Sequence, residues 1–199
     1  MVKYCQVLVA LSLPGLSGCS NYEGGNRVPG VVKWPAGITA NITNTAPVMI
    51  EDIYSTVLSV AGVNVEQRDD IDGMDWSKFF SSKQVPEIFT NRSQFFAMPY
   101  QFEGTFYNGA DFIEGGVEPA ISVISDKWKL IYFFTDERFE LYNLADDRAE
   151  QVNLINQQPV QAQRLVTLLD SKMKQHNFED IMPKRSNNAH NIGYISLAV

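Results

Sequence analysis

Few side chains in this sequence have the types and spacing that catalysis or metal binding requires. Of the two histidines, His176 lies at the predicted end of a helix, where positive charge complements the helix dipole, and His190 lies in a polar tail. We therefore assign neither of them to catalysis or to a metal. Hard divalent cations bind clusters of carboxylates, and the densest acidic stretch contains Glu66, Asp69, Asp70, Asp72 and Asp75. We interpret this stretch, which follows a predicted helix, as a solvated acidic loop.

Composition excludes one class of partner and leaves another open. The 199 residues carry a formal net charge of −7 and no run of Lys or Arg, which argues against sequence-independent binding to nucleic acid, because that binding requires basic patches. An aromatic-rich loop at 95–107 (FFAMPYQFEGTFY) can line a sugar-binding surface or belong to the core, and we favour the core. Because both cysteines, Cys5 and Cys19, lie in the first twenty residues, no disulfide framework holds the remainder of the chain.

The N-terminal segment resembles a bacterial export signal. Lys3 precedes an apolar run at 7–16 (VLVALSLPGL), which has the length of a signal-peptide core and is too short to span a bilayer. The run ends in Leu16-Ser17-Gly18-Cys19, which is similar to the lipobox of lipoproteins. This resemblance implies lipidation at Cys19 and an exported, periplasmic or membrane-anchored bacterial lipoprotein. The alternative is an ordinary buried strand or helix that ends in a cysteine.

From Tyr22 onward the chain resembles the sulfatase family, over roughly residues 22–176. The family's Y-E-G-G-x-R-V-P … V-x-W-P-G stretch is matched at 22–37, and three further stretches follow in the family's order: 44–61 (NTAPVMIEDIYSTVLSVA), 71–76 (IDGMDW) and 120–154, which contains DKWKL and ELYNL. Two departures are Ser55 and Arg148, each at a position where the family usually has proline. The ending at 120–154 is the most specific of these matches.

The resemblance implies a catalytic machinery that this sequence lacks. Sulfatases use a formylglycine made from Cys or Ser in a C/S-x-P/A-x-R motif, a calcium ion, and Lys and His residues, because the negative charge of a sulfate ester must be stabilised before a nucleophile attacks. Neither Cys5 nor Cys19 begins such a motif, no Asp-Asn-Gly metal pair occurs, and the family's catalytic lysine would fall on Gly18. We therefore assign no catalytic and no metal-binding residue to this chain. Calcium and formylglycine are expected only in complete family members.

Glu23 and Arg27 are the candidate substrate-binding residues. They flank the glycine pair of the YEGGNR turn, where glycines let the backbone bend and approach a neighbour closely. In complete family members this stretch follows the catalytic lysine directly and lies near the sulfate pocket, so the resemblance implies possible substrate contact. A structural salt bridge that fixes the loop is the alternative, and it is favoured.

Hydrophobic periodicity predicts the elements that surround this turn. A helix is expected at 53–61, with Asp52 as its cap and Gly62 at its end, and another at 159–176. Strands are expected at 31–34, 87–90, on either side of Ser125-Asp126 within 120–134, and at 139–144. In the second run of 120–134, Trp128, Leu130, Tyr132 and Phe134 share one face while Ile131 and Phe133 share the other, so we expect this strand to be covered on both sides.

We predict an α/β (α+β) fragment, consisting of a remnant of an alkaline-phosphatase-like α/β domain and a C-terminal subdomain in which an antiparallel sheet packs against a C-terminal helix. The expected boundaries are 1–18 for the signal-like segment, 19–82 for the remnant, 83–180 for the subdomain and 181–199 for a loosely docked tail. Within the remnant, the strand at 31–34 would lack the parallel neighbours that such a strand needs.

The resemblance implies the C-terminal part of a sulfuric ester hydrolase, acting on a sulfated carbohydrate or an aryl sulfate and inactive alone. One alternative is a lipid-anchored, non-catalytic module that binds sulfated glycans, although an acidic chain suits polyanions poorly. Another is a hydrolase whose catalytic half is supplied by a second chain.

Overall fold

The structure is a computed structural model that describes residues 8–11, 21–27, 30–64, 71–80, 82, 84–99, 106–108, 111–113 and 118–178. The chain divides into two compact units, one drawn from the ranges 1–11 and 30–92 and the other from 12–29 and 93–199. The predicted lipidation site Cys19, His190 and the tail at 181–199 lie outside the described residues. The domain boundaries predicted from the sequence stay predictions.

Both units contain short strands and helices. The strands are β1 Leu8–Leu11, β2 Gly30–Lys33, β3 Gln94–Met98, β4 Phe106–Asn108, β5 Asp111–Ile113, β6 Ala120–Ser125, β7 Trp128–Phe133 and β8 Phe139–Asn143. The helices are α1 Glu23–Asn26, α2 Asp52–Val60, α3 Glu87–Thr90 and α4 Pro159–Gln175, with a 3-10 turn at Ser77–Phe79. Among the described residues, no helix is long and apolar enough to cross a bilayer.

An antiparallel sheet with strand order β3-β6-β7-β8 forms the centre of the second unit. A tight turn joins β6 to β7, with Ser125 paired to Trp128 and Asp126 in the left-handed region at φ 56°, which Asp tolerates better than most residues. The hairpin predicted at Ser125-Asp126 is therefore confirmed. In the same unit, β4 and β5 pair with each other.

Helix α4 covers one face of this sheet. Pro159 starts the helix, as its fixed φ favours at a first turn. A stripe of buried residues on the helix packs against alternate residues of β6, β7 and β8. The residues of this cluster are Ala162, Leu165, Val166, Leu169 and Met173 from the helix and Ile121, Val123, Leu130, Tyr132 and Leu141 from the sheet. The C-terminal helix and its packing on an antiparallel sheet are confirmed.

Helix α2, in the first unit, ends as the sequence predicts but begins differently. Gly62 adopts φ 85°, and the N–H groups of Gly62 and Val63 donate to the carbonyls of Ser59 and Leu58, which is a Schellman ending. Asp52 is not the predicted cap, because it is the first helical residue and its carboxylate accepts the N–H groups of Met49 and Met74. A Cβ on Gly73 would overlap the carbonyl oxygen of Glu51, so Gly73 is where glycine permits close approach.

Two strand predictions need correction. Residues 87–90 form the short helix α3, in which the N–H of Asn91 donates to the carbonyl of Glu87 at 2.8 Å. A four-residue apolar run does not distinguish strand from helix by periodicity, and here Phe89 is buried while Ile88 is exposed. The strand predicted at 31–34 is β2, and it is not an orphan, because it pairs antiparallel with β1.

Leu8–Leu11, which form β1, lie within the apolar run of the predicted export signal. The pairing of these residues with β2 corresponds to the alternative of an ordinary strand. The export signal itself stays a prediction.

Replacement of Leu165 by alanine tests the packing of α4 on the sheet. Leu165 is fully buried, so we expect Leu165→Ala to lower the free energy of unfolding by about 2–5 kcal/mol through lost burial and the cavity left behind. Val160 lies in the same helix but is 79% exposed, and Val160→Ala should change that free energy by less than about 0.5 kcal/mol. Urea unfolding followed by circular dichroism measures both; equal effects would contradict this packing.

Candidate functional site

The Tyr22–Arg27 turn lies on the sheet face opposite α4. Lys129, Ile131 and Phe133 alternate along β7 and point away from the helix, since Leu130 and Tyr132 point toward it. Ile131 and Phe133 form a second buried cluster with Ala120 and Tyr142, and Tyr22 packs against that cluster. Strand β7 is therefore covered on both sides, as the sequence predicts.

Asparagine side chains join the start of the turn to strand β6. Asn21 is buried; its amide donates to the carbonyl of Ala120 at 3.0 Å and its amide oxygen accepts the Ser122 hydroxyl at 3.0 Å. Asn26 closes the turn by donating to the carbonyl of Asn21 at 3.0 Å. Because both ends of the Asn21 amide are satisfied, this contact fixes the orientation of the chain as it enters the turn.

Tyr22 joins the turn to strand β8. Its hydroxyl donates to Glu140 Oε2 at 2.7 Å, and the hydroxyl of Tyr142 donates to the same oxygen at 2.8 Å. Burial, together with the hydrogen bond to the Glu140 carboxylate, raises the pKa of Tyr22 well above its ordinary value. Arg138 compensates the charge of Glu140 from the other carboxylate oxygen, at 3.2 Å.

Glu23 joins the turn to strand β7 through a buried ion pair. The Lys129 ammonium lies 3.2 Å from Glu23 Oε1 and 2.9 Å from Glu150 Oε1, and the Lys129 side chain is completely buried. The backbone N–H of Glu23 also donates to the Glu150 carboxylate. Burial raises the pKa of Glu150, and the charge and hydrogen bonds of Lys129 and the Glu23 N–H oppose that rise only in part. We call Glu23, Lys129 and Glu150 the turn-anchoring triad.

The structure gives the side chains of the two candidate binding residues different environments. The Glu23 side chain is in the triad and 14% exposed, whereas Arg27 is exposed at the end of the turn. The close backbone approach expected at the glycine pair is not found at Gly24, where an added Cβ would meet nothing within 4 Å. The ion pair is the loop-fixing alternative left open by the sequence, and substrate contact stays a prediction.

The acidic stretch behaves differently at its two described residues. Asp72 is exposed, as expected of a solvated loop. Asp75 instead accepts the Ser59 hydroxyl at 2.6 Å and the Ser77 N–H at 2.8 Å; burial opposes ionisation, but these bonds outweigh it and lower the pKa of Asp75. Glu66, Asp69 and Asp70 lie outside the described residues. Within the described parts of the chain, no group of three His, Cys, Asp or Glu side chains is placed to hold a metal ion.

Sequence reasoning missed Lys129, Glu150, Asn21 and Glu140. The burial of Lys129 could have been predicted from the sequence. Lys129 lies on the same face of its strand as Ile131 and Phe133, and that strand is predicted to be covered on both sides. A lysine at such a position requires a buried carboxylate partner. Phe95, from the aromatic loop, packs against the α4 core, which agrees with a core role there, and residues 100–105 lie outside the described residues.

A family model that matches most of the chain shows to which protein family it belongs. The family model for the C-terminal region of N-sulphoglucosamine sulphohydrolase matches residues 20–179. The chain belongs to the sulfatase family. A sulfatase of Formosa agariphila is 31% identical over 158 residues, which are 78% of this chain and 27% of that protein. Human arylsulfatase G is 34% identical over 67 residues, which are 34% of this chain and 13% of that protein.

Solved structures agree on the fold. A protein solved in complex with its substrate D-glucosamine-2-N,6-O-disulfate matches with a TM-score of 0.63 and 24% identity, over 82% of this chain and 31% of that one. A protein solved with k-i-k-neocarrahexaose matches with a TM-score of 0.58 and 18% identity, over 84% of this chain and 32% of that one. This sulfatase-family chain therefore has the fold of the C-terminal part of a sulfatase, and it spans about a third of these proteins or less.

Replacement of Lys129 by methionine tests the turn-anchoring triad. Lys129→Met leaves buried carboxylates without their cation, so we expect the free energy of unfolding to fall by about 3–5 kcal/mol at pH 7.5. The variant also removes the main group that lowers the pKa of Glu150. A carboxyl whose folded pKa lies above its unfolded value contributes stability that is present below the unfolded pKa and lost as the pH rises. The loss relative to the wild type should therefore be smaller at pH 4.5 than at pH 7.5.

Urea unfolding at the two pH values measures this difference. The matched control is Lys127→Met, because Lys127 is an exposed lysine two residues away and its replacement should change the free energy of unfolding by less than about 0.5 kcal/mol. A pH-independent loss, or an equal loss in both variants, would contradict the triad.

Proposed function

We propose that this sulfatase-family chain is the C-terminal part of a sulfuric ester hydrolase that acts on sulfated carbohydrate. In this role the Tyr22–Arg27 turn carries the chain past the sulfate-binding region, and the sheet holds the turn in place. The observation that carries the proposal is the buried contact of Lys129 with Glu23 at 3.2 Å, because a turn fixed by a buried ion pair presents its exposed end in a defined position. Structural neighbours solved with sulfated or oligosaccharide ligands support the substrate class.

Within the turn, the two charged residues take different roles. Glu23 is engaged by Lys129, which favours anchoring over substrate contact for this residue. Arg27 is exposed at the end of the anchored turn, and its backbone N–H donates to the carbonyl of Glu23 at 2.8 Å. A guanidinium binds a sulfate group through two parallel hydrogen bonds, as it does a phosphate or carboxylate. We therefore assign Arg27 to the sulfate of the sugar.

Sulfatases use a calcium ion and a formylglycine, and we propose that the parts of this chain that the structure describes hold neither. The described residues include no cluster of metal ligands, and the sequence lacks the C/S-x-P/A-x-R motif. No reaction step is therefore assigned to groups of this chain. In the proposal, the nucleophile and the metal ligands belong to the remainder of the sulfatase fold, and the 199-residue chain alone does not turn over sulfate esters.

Localisation belongs to the same proposal. Export and lipidation at Cys19 would place the protein at a bacterial envelope, where extracellular polysaccharides are met. Mass spectrometry of the mature N-terminus tests this part separately, because a lipidated Cys19 supports it and an unmodified Met1 contradicts it. A non-catalytic glycan-binding module is not favoured, since the net charge of −7 repels sulfated polymers.

A chimera tests the function directly. Residues 20–179 of this chain replace the matched segment of the Formosa agariphila sulfatase, and hydrolysis of a chromogenic sulfate ester is measured with calcium present. We expect turnover by the chimera and none above blank by the 199-residue chain alone. In the chimera, Arg27→Gln should lower kcat/KM by roughly 10- to 100-fold, the loss of a charge-assisted hydrogen bond.

The matched control for this variant is Arg148→Gln, since Arg148 is also exposed but lies outside the turn, and it should leave kcat/KM within about twofold. Equal effects of the two variants would contradict the role of Arg27. Turnover by the chain alone would contradict the assignment of the chemistry to the remainder of the fold.

A further inference from the structure

The outward face of α2 is apolar and lacks a cover among the described residues. Tyr54 and Val57 lie three residues apart in α2, on one side of the helix, and are 57% and 47% exposed. Ile50, in the turn just before the helix, is 70% exposed. Val63, just beyond the helix, is also exposed. We define this apolar face by Ile50, Tyr54, Val57 and Val63. Exposed apolar patches of this kind mark interaction surfaces.

The opposite face of α2 is polar and buried, so the helix is inverted relative to an ordinary surface helix. Asp52 is fully buried and pairs with Arg92 at 2.6 Å. The Ser55 hydroxyl donates to the carbonyl of Gly73 at 2.7 Å, and the Thr56 hydroxyl oxygen accepts the N–H of Trp76 at 3.2 Å. Rotation of α2 to bury its apolar face would break these bonds and leave buried polar groups unpaired. The apolar face is therefore held outward by the fold.

We propose that this apolar face docks against the remainder of a sulfatase fold, the part that this chain does not contain. The chain matches 31–32% of the two solved proteins compared above and 27% of the Formosa agariphila sulfatase. In layered α/β folds, the apolar side of a helix is buried against a neighbouring layer, and the remaining two thirds of the fold supply that layer. Strand β2, in the same unit, also exposes an apolar side chain, because Val31 is 60% exposed.

This inference rests on the proposed function, because it names the partner that would supply the missing chemistry. It concerns binding, however, and can be tested without any turnover. The probe is the Formosa agariphila sulfatase from which the segment matching this chain has been deleted. The two polypeptides are co-expressed, and the mass of the purified species is measured by size-exclusion chromatography with light scattering.

We expect a soluble one-to-one complex. Tyr54→Ser and Val57→Ser should each weaken its affinity by roughly tenfold or more, through loss of buried apolar contact. Val160→Ser is the matched control, because Val160 is also an exposed valine in a helix but lies on α4, and it should leave the affinity unchanged. Circular dichroism and urea unfolding of the free chain should not distinguish the three variants from the wild type by more than about 0.5 kcal/mol.

Three results would overturn the docking proposal. They are the absence of any soluble complex, a complex that Val57→Ser and Val160→Ser affect equally, and self-association of this chain through the same face. A complex that binds as expected but is inactive in the sulfate-ester assay would instead contradict the proposed function while leaving the docking surface intact. The two proposals therefore fail in distinguishable ways.

Discussion

A buried lysine constrains the candidate site. The ammonium of Lys129 has no exposed surface and lies within 3.2 Å of one carboxylate and 2.9 Å of another. An unpaired charge in such a place would be strongly unfavourable, so the strand, the Tyr22–Arg27 turn and the segment that carries Glu150 must come together in one arrangement. Buried ion pairs contribute little net stability compared with apolar packing, and their value here lies in specifying one position for the turn.

The sheet can impose this arrangement because it has two different faces. Toward α4 it is mainly apolar, and the cluster with Leu165 and Leu169 stabilises the unit. Toward the turn it combines apolar residues with Lys129, Ser122 and Glu140, and each of these three meets a residue of the segment at 21–23. One face therefore supplies stability, while the other supplies the contacts that position Arg27.

The sequence predicts the first of these faces well and the second poorly. Helix α4 and the β6–β7 hairpin follow from periodicity and from a turn at Asp126, which are local signals. The triad joins residues 106 and 127 positions apart, and no local pattern encodes such a distance. The resemblance to sulfatases identifies the YEGGNR turn as a candidate site, but it does not predict that Glu23 forms a buried ion pair. The strand prediction at 87–90 is wrong for a different reason, since four residues are too few for periodicity to distinguish a strand from a helix.

Membership of the sulfatase family and the inverted polarity of α2 point in the same direction. The first unit buries Asp52, Ser55 and Thr56 while it exposes Ile50 and Tyr54, and the proposed docking rests on this arrangement. The second unit has its own core on the α4 face of its sheet. The two units thus differ, because the second buries apolar residues between its sheet and α4, whereas the first exposes the apolar face that we propose docks against a partner.

Hydrogen exchange of the turn amides tests the central claim most directly. The N–H groups of Gly25, Asn26 and Arg27 are bonded to the carbonyls of Tyr22 and Glu23, and the account predicts that they are protected in the wild-type chain. In Lys129→Met, their protection should fall to nearly that of an unstructured chain, while the amides of the β6–β7 hairpin should lose no more protection than the fall in the free energy of unfolding accounts for. Rapid exchange of the turn amides in the wild type, or full protection in the variant, would contradict the claim that Lys129 holds the turn.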